Sequence, residues 1–226
     1  MSWFKNFLTS SIGRKLIMSL TGLFLIVFLL VHLVGNFQLL VDDGGQKFNE
    51  YALFMTTNPI IKTTSYGLYF FILLHAVQGF ILWGKNRSAR GNTRYAVTTS
   101  TNTTFAGRNM GWLGTIIFIF LILHLWQFWF QMKIGAVPLV SYGDEEMKDL
   151  YKIVAEAYSQ WWYVAIYVVA MVVIGFHLLH GFQSAFQTLG LNHRKYTPFI
   201  KTVGTIYSIL IPLGFASIPI FFFIMK

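Results

Sequence analysis

The sequence predicts an all-α integral membrane bundle of five transmembrane helices, with the N-terminus cytoplasmic and the C-terminus outside. Three observations carry that prediction. Of 226 residues, 55% are hydrophobic and only 11% are charged, against about 25% charged in an ordinary soluble domain. The charges fall in clusters that leave five long apolar gaps. The clusters also differ in sign from one side of the gaps to the other, which orients the chain.

The first helix is expected at about 14–41, because no charge lies between Lys15 and Asp42. The second is expected at about 60–84, between Lys62 and Lys85, and the third at about 109–133, between Arg108 and Lys133. After Glu156 no full charge occurs until Arg194; the apolar part of that stretch predicts a fourth helix at about 158–188. A fifth is expected at about 200–225. At a rise of about 1.5 Å per residue, each can cross a hydrocarbon core of about 30 Å. Helices satisfy their own backbone hydrogen bonds in lipid, so residues 1–226 read as one membrane domain. The first span is too long for the apolar region of a signal peptide and no small-residue cleavage site follows it, so its retention is expected.

Counting charges by side gives the orientation. With the N-terminus inside, the inner segments carry Lys5, Arg14, Lys15, Lys85, Arg87, Arg90, Arg94, Arg108, Arg194, Lys195 and Lys201, and no acid. The outer segments carry Lys47, Lys62, Lys133, Lys148, Lys152 and Lys226 together with all 8 acidic residues. The positive-inside rule then puts the N-terminus inside and the C-terminus outside; a multi-pass protein of the bacterial cytoplasmic membrane is expected, in contact with lipid and with no nucleic-acid partner. Trp83, Trp112, Trp126, Trp129, Trp161 and Trp162 lie near span ends, where indoles anchor to the interface. The absence of cysteine excludes a disulfide framework, a thiolate-held iron-sulfur cluster and a Cys-linked haem.

Five of the 6 histidines lie inside the spans: His32, His75, His124, His177 and His180. Ionisable side chains within a membrane are costly and mark function. Counted from the inner helix ends, His32 and His124 lie at about 24–27 Å, and His75 and His180 at about 15 Å. Two pairs at two depths, each drawn from different helices, are what two bis-histidine b haems stacked across a bilayer require. Zinc would want three or four ligands converging at one level, and a proton relay would want carboxylates, of which the spans have none. His177 competes with His180 for the inner position, being three residues away on nearly the same face; depth favours His180. Gly79, one turn from His75, and Gly181, next to His180, would let a porphyrin approach the backbone.

These residues resemble the single-polypeptide, five-helix, dihaem cytochrome b membrane anchor of succinate dehydrogenase and fumarate reductase (succinate:quinone oxidoreductase). The run Ser19-Leu20-Thr21-Gly22-Leu23-Phe24-Leu25 followed by His32 resembles the family's first helix. The run His180-Gly181-Phe182-Gln183-Ser184-Ala185-Phe186-Gln187-Thr188-Leu189-Gly190 resembles its fourth. The resemblance implies docking, on the cytoplasmic side, to a flavoprotein with FAD and to an iron-sulfur subunit. It implies that the dicarboxylate is handled there, and that electrons pass through the inner and then the outer haem to a quinone, typically menaquinone, in the respiratory chain and tricarboxylic acid cycle. It also suggests Ser19 beside an inner haem propionate. Some members carry a glutamate two residues before the fourth-helix ligand; here that position is Leu178, which removes that proton path. An electron moving from a negative inside to a positive outside gains about 2.3 kcal/mol per 100 mV, which would assist an unfavourable reduction.

The basic inner loop 85–108, acid-free and rich in Ser, Thr and Asn, is the expected docking surface. Quinone contacts are expected among Asn36, Gln38, Asp42, Glu50, Trp126 and Gln127, the polar groups nearest the outer haem. Two alternatives stay open at this point: the cytochrome b subunit of another quinone-linked membrane enzyme (a hydrogenase, a formate dehydrogenase or a b561-like reductase), and a haem-free transporter or assembly factor.

Overall fold

The computed structural model describes residues 3–91 and 104–225. Arg94 and the remainder of 92–103 in the basic loop lie outside the described residues, as does Lys226. In chain order the elements are α1 (Trp3–Thr9), α2 (Ser11–Asn36) with a 3-10 turn (Phe37–Leu40), α3 (Gln46–Thr57), α4 (Pro59–Arg90) and α5 (Phe105–His124). A π-helical stretch (Leu125–Phe130) follows, then α6 (Gln131–Ile134), strands β1 (Leu139–Tyr142) and β2 (Glu145–Lys148), α7 (Leu150–Tyr158), α8 (Trp161–Thr188) and α9 (Thr197–Ile224). Five helical stretches of 28 to 31 residues are long and apolar enough to cross a membrane.

Local chemistry explains where the helices start. Ser10 accepts from Gly13 N, Asn58 from Ile60 N and Ile61 N ahead of Pro59, Thr104 from Gly107 N, and Asp149 from Lys152 N. Each side chain satisfies donors that the first helical turn leaves open. These caps also account for the departures from limits set by charge alone. The third span begins at Phe105 rather than 109 because Thr104 caps it. The second runs on to Arg90 rather than stopping at 84, since Lys and Arg end a membrane span without ending a helix. The fourth begins at Trp161 rather than 158, and the residues before it form the separate helix α7.

Connectivity places the 42–58 and 135–160 segments at one end, called here the capped end, and α1 with the α8–α9 turn at the other, the open end. The cap contains the one departure from all-α structure among the described residues, an antiparallel β1–β2 hairpin. Its two-residue turn is Gly143-Asp144, with Gly143 at φ +64°, a conformation that suits glycine. Asn49 of α3, 1% exposed, ties the cap together. It donates to Tyr142 Oη and Asp149 Oδ1, both at 3.1 Å, and accepts from Tyr151 N at 3.0 Å.

Small residues let the long helices close. Gly204 of α9 lies against Phe182 of α8, and Gly214 of α9 against Leu33 of α2. Pro212 cannot donate to Ser208 O within α9; that carbonyl lies against Gly175 of α8 instead. The main apolar core joins α2, α7, α8 and α9 near the capped end, through Leu33, Val154, Tyr158, Tyr163, Tyr167 and Ile211. The span of α4, by contrast, has no buried residue.

Candidate haem sites

A cavity of about 1800 Å³ runs between the helices. Ordinary ligand pockets hold about 300–1,000 Å³, so it has room for two large groups. All five span histidines line it.

The histidines stand at two levels, which the glycines of the facing helices define. His75 of α4 lies against Gly22 of α2, where a Cβ would stand 3.3 Å from the ring. His177 of α8 lies over Gly114 of α5. His32 is ten residues beyond Gly22, and His124 ten beyond Gly114, so both helices put about 15 Å between the levels. At the capped level the His32 and His124 rings face each other edge to face at 5.9 Å between centroids. At the other level the ring nearest His75 is that of His177, at 6.4 Å. His180 lies against Gly107 of α5, where a Cβ would stand 2.9 Å from it. Counting from Gly190 therefore does not reproduce the ring positions, because crossed helices do not share levels at equal residue counts.

Hydrogen bonds at Nδ1 set ring orientation. Thr21 Oγ1 is 3.1 Å from His75 Nδ1. The hydroxyl proton of Thr21 is directed at Ile17 O, 2.8 Å away, so its oxygen accepts from the imidazole and leaves Nε2 with its lone pair. Tyr167 Oη is 3.2 Å from His124 Nδ1. Asn36 donates to the His32 carbonyl at 2.7 Å, which brings the same amide nitrogen to 3.3 Å from Nδ1; to bind a metal through Nε2, His32 would carry its proton on Nδ1 and Asn36 would turn its amide. His177 Nδ1 is buried without a partner.

Other expected site residues distribute unevenly. Ser19 is buried, lines the cavity and donates to Lys15 O at 3.0 Å. Gly79 lines the cavity opposite Met18, and Gly181 lines it with open space where a Cβ would point. Of the six expected quinone contacts only Asn36 reaches the cavity. Glu50 is engaged by Gln46 at 2.7 Å, and Trp126 is exposed and stacked on Phe130. Gln38, Asp42 and Gln127 do not line the cavity. The π-helical stretch accounts for part of this, since its wider turn rotates residues 126–130 away from the face that a 3.6-residue period assigns. Trp129 turns inward instead and donates to Tyr69 Oη at 2.7 Å, with Tyr51, Ser65 and Tyr66 beside it on the cavity wall. Thr21 was legible, lying eleven residues and about three turns before His32 on the same face of α2.

The charges on the wall have one sign. Lys15, Arg87 and Arg108 line the open end and Lys62 and Lys133 the capped end, with no carboxylate between them. Among the described residues no three His, Asp or Glu side chains converge as a cage for a bare metal ion would need. Paired imidazoles, glycine-faced helices and cationic mouths fit flat, iron-bearing groups with acidic substituents, and b haem has that description. Comparison with known protein families, with curated proteins and with solved structures finds no match.

Proposed function

We propose that the chain is the dihaem cytochrome b membrane anchor of a succinate:quinone oxidoreductase, carrying electrons between an iron-sulfur partner and a quinone. The observation that carries the reading is that the span histidines face one cavity from four helices, His32 with His124 toward the capped end and His75 with the α8 histidines toward the open end. Two b haems would supply one-electron chemistry there. His32 and His124 hold the group at the capped end, and His75 with His180 the group at the open end.

The competing choice at the open end is His177. Proximity to His75 favours it, but a ligating imidazole normally donates its second nitrogen to an acceptor. His177 Nδ1 is buried with none; His180 shows no acceptor either among the described residues, so the choice of His180 rests on its depth along the helix and on the resemblance of the run that begins His180-Gly181. Ser19, Lys15, Arg87 and Arg108 are placed to receive propionates at the open end. A quinone, menaquinone by the resemblance, is taken at the capped mouth by Tyr51, Tyr69 and Trp129, with Asn36 deeper beside His32.

By the positive-inside rule the open end is the cytoplasmic one, and by the resemblance the membrane is the bacterial inner membrane. The FAD-bearing flavoprotein and the iron-sulfur subunit dock there, on the segments flanking 92–103. Within this assembly the anchor serves as the electron-transfer subunit of succinate dehydrogenase or fumarate reductase.

Purification in mild detergent tests the reading. Two b-type haems reduced by succinate, with a flavoprotein and an iron-sulfur protein copurifying, are expected. Absence of b-type bands overturns it, and haems that succinate leaves oxidised point to another quinone-linked enzyme. His180→Ala is expected to remove the open-end haem and His177→Ala to spare it; the reverse exchanges the two roles.

A further inference from the structure

The tyrosines around His124 carry an inference that rests on the dihaem reading and deepens it. Tyr167 of α8 is buried with its hydroxyl 3.2 Å from His124 Nδ1. Two more buried phenols pack on its ring, Tyr163 stacked at 5.2 Å and Tyr158 edge-on at 5.1 Å between centroids. Phe120 and Phe128 enclose the imidazole at 5.9 and 5.5 Å. Of the three phenols only Tyr167 bonds the histidine; the Tyr163 hydroxyl is buried with no hydrogen-bond partner.

A neutral imidazole has one N–H and one lone pair. If Tyr167 donated to Nδ1, the proton would sit on Nε2 and that nitrogen could bind no metal. With the polarity reversed, Nε2 faces the cavity with a free lone pair. We infer that Tyr167 is a positioning residue whose oxygen accepts the His124 Nδ1–H, and so tunes the haem at the capped end. Its own proton is then free to turn toward the phenols packed on its ring. A ligand whose N–H is held by an acceptor is more basic; a more basic ligand favours ferric over ferrous iron. The Tyr167 hydroxyl therefore lowers the potential at that level and leaves the other level alone.

The test is a redox titration of both haems in the purified complex, comparing Tyr167→Phe with Tyr163→Phe. The second variant removes an equally buried hydroxyl that makes no bond to His124. Tyr167→Phe is expected to raise the capped-end potential by an amount equivalent to about a tenfold change in ferric preference, about 59 mV for one electron. The open-end haem stays unchanged, and Tyr163→Phe shifts neither. With both haems present, an unmoved potential in Tyr167→Phe overturns the inference alone, as does an equal shift from Tyr163→Phe. Wild-type protein without haem overturns the dihaem reading and this inference with it. If Tyr167→Phe fails to retain the haem, fluorotyrosine placed at position 167 decides: its weaker acceptor oxygen is expected to raise the capped-end potential alone, and an unmoved potential overturns the inference.

Discussion

The two ends of the bundle are built differently around similar histidine pairs. At the capped end, His32 and His124 sit where α2, α8 and α9 share a packed core, under a lid tied together by Asn49. At the open end, His75 belongs to a helix whose span buries no residue, and the α8 histidines lean on bare glycines of α5. The difference separates two sources of order. One level borders the packed core and its lid, while the other borders open cavity and the glycine faces of neighbouring helices.

Breaking each level separately gives the largest expected effect. On the proposed dihaem reading, His124→Ala should halve the b-type absorbance and leave the remaining haem reducible by succinate, whereas His75→Ala should also halve it but block succinate reduction of what remains. Haem quantification with and without succinate distinguishes them. Next comes the cap. Asn49→Ala removes a buried side chain that satisfies three partners, at an expected cost of about 3 kcal/mol. Thermal unfolding in detergent should show that loss, with the open-end spectrum unchanged. A smaller effect is expected from Gly107→Ala, whose Cβ would press on His180 at 2.9 Å; overpacking of this kind costs about 1–3 kcal/mol. If His180 is the ligand, the open-end haem band should shift while the capped-end band does not.

The smallest effect is one of pH. Burial, with Asp43 and Asp42 nearby, raises the Tyr151 phenol above its ordinary value, and burial alone raises Tyr51. Both cap tyrosines are thus more readily ionised in the unfolded chain. The stability they contribute is complete below the ordinary phenol value of about 10 and is lost as pH rises through that value toward the folded one. Alkaline titration followed by circular dichroism should show the cap loosening before the spans change.

Much of this plan was legible in the residues. The five spans follow from charge-free length, and the two histidine levels from residue counts along single helices. What failed depended on relations between helices or on local departures from the regular helix. The ring partner of His75 is set by how α4 and α8 cross, which no count along one chain provides. The turn of Trp129 into the cavity is set by the π-helical stretch, whose wider pitch the residues from Leu125 to Phe130 do not announce. The hairpin was signalled by Gly143-Asp144, but its strands are four residues each and carry too little alternation to stand out beside the spans.

The unburied span of α4 bears on the order of assembly. It leaves the translocation machinery before α8 and α9 have been made, and as a membrane helix it is stable in lipid without them. What holds α4 is its face toward α2, made before it, where Gly22 and Thr21 meet His75, so the two can pair before the rest of the bundle exists.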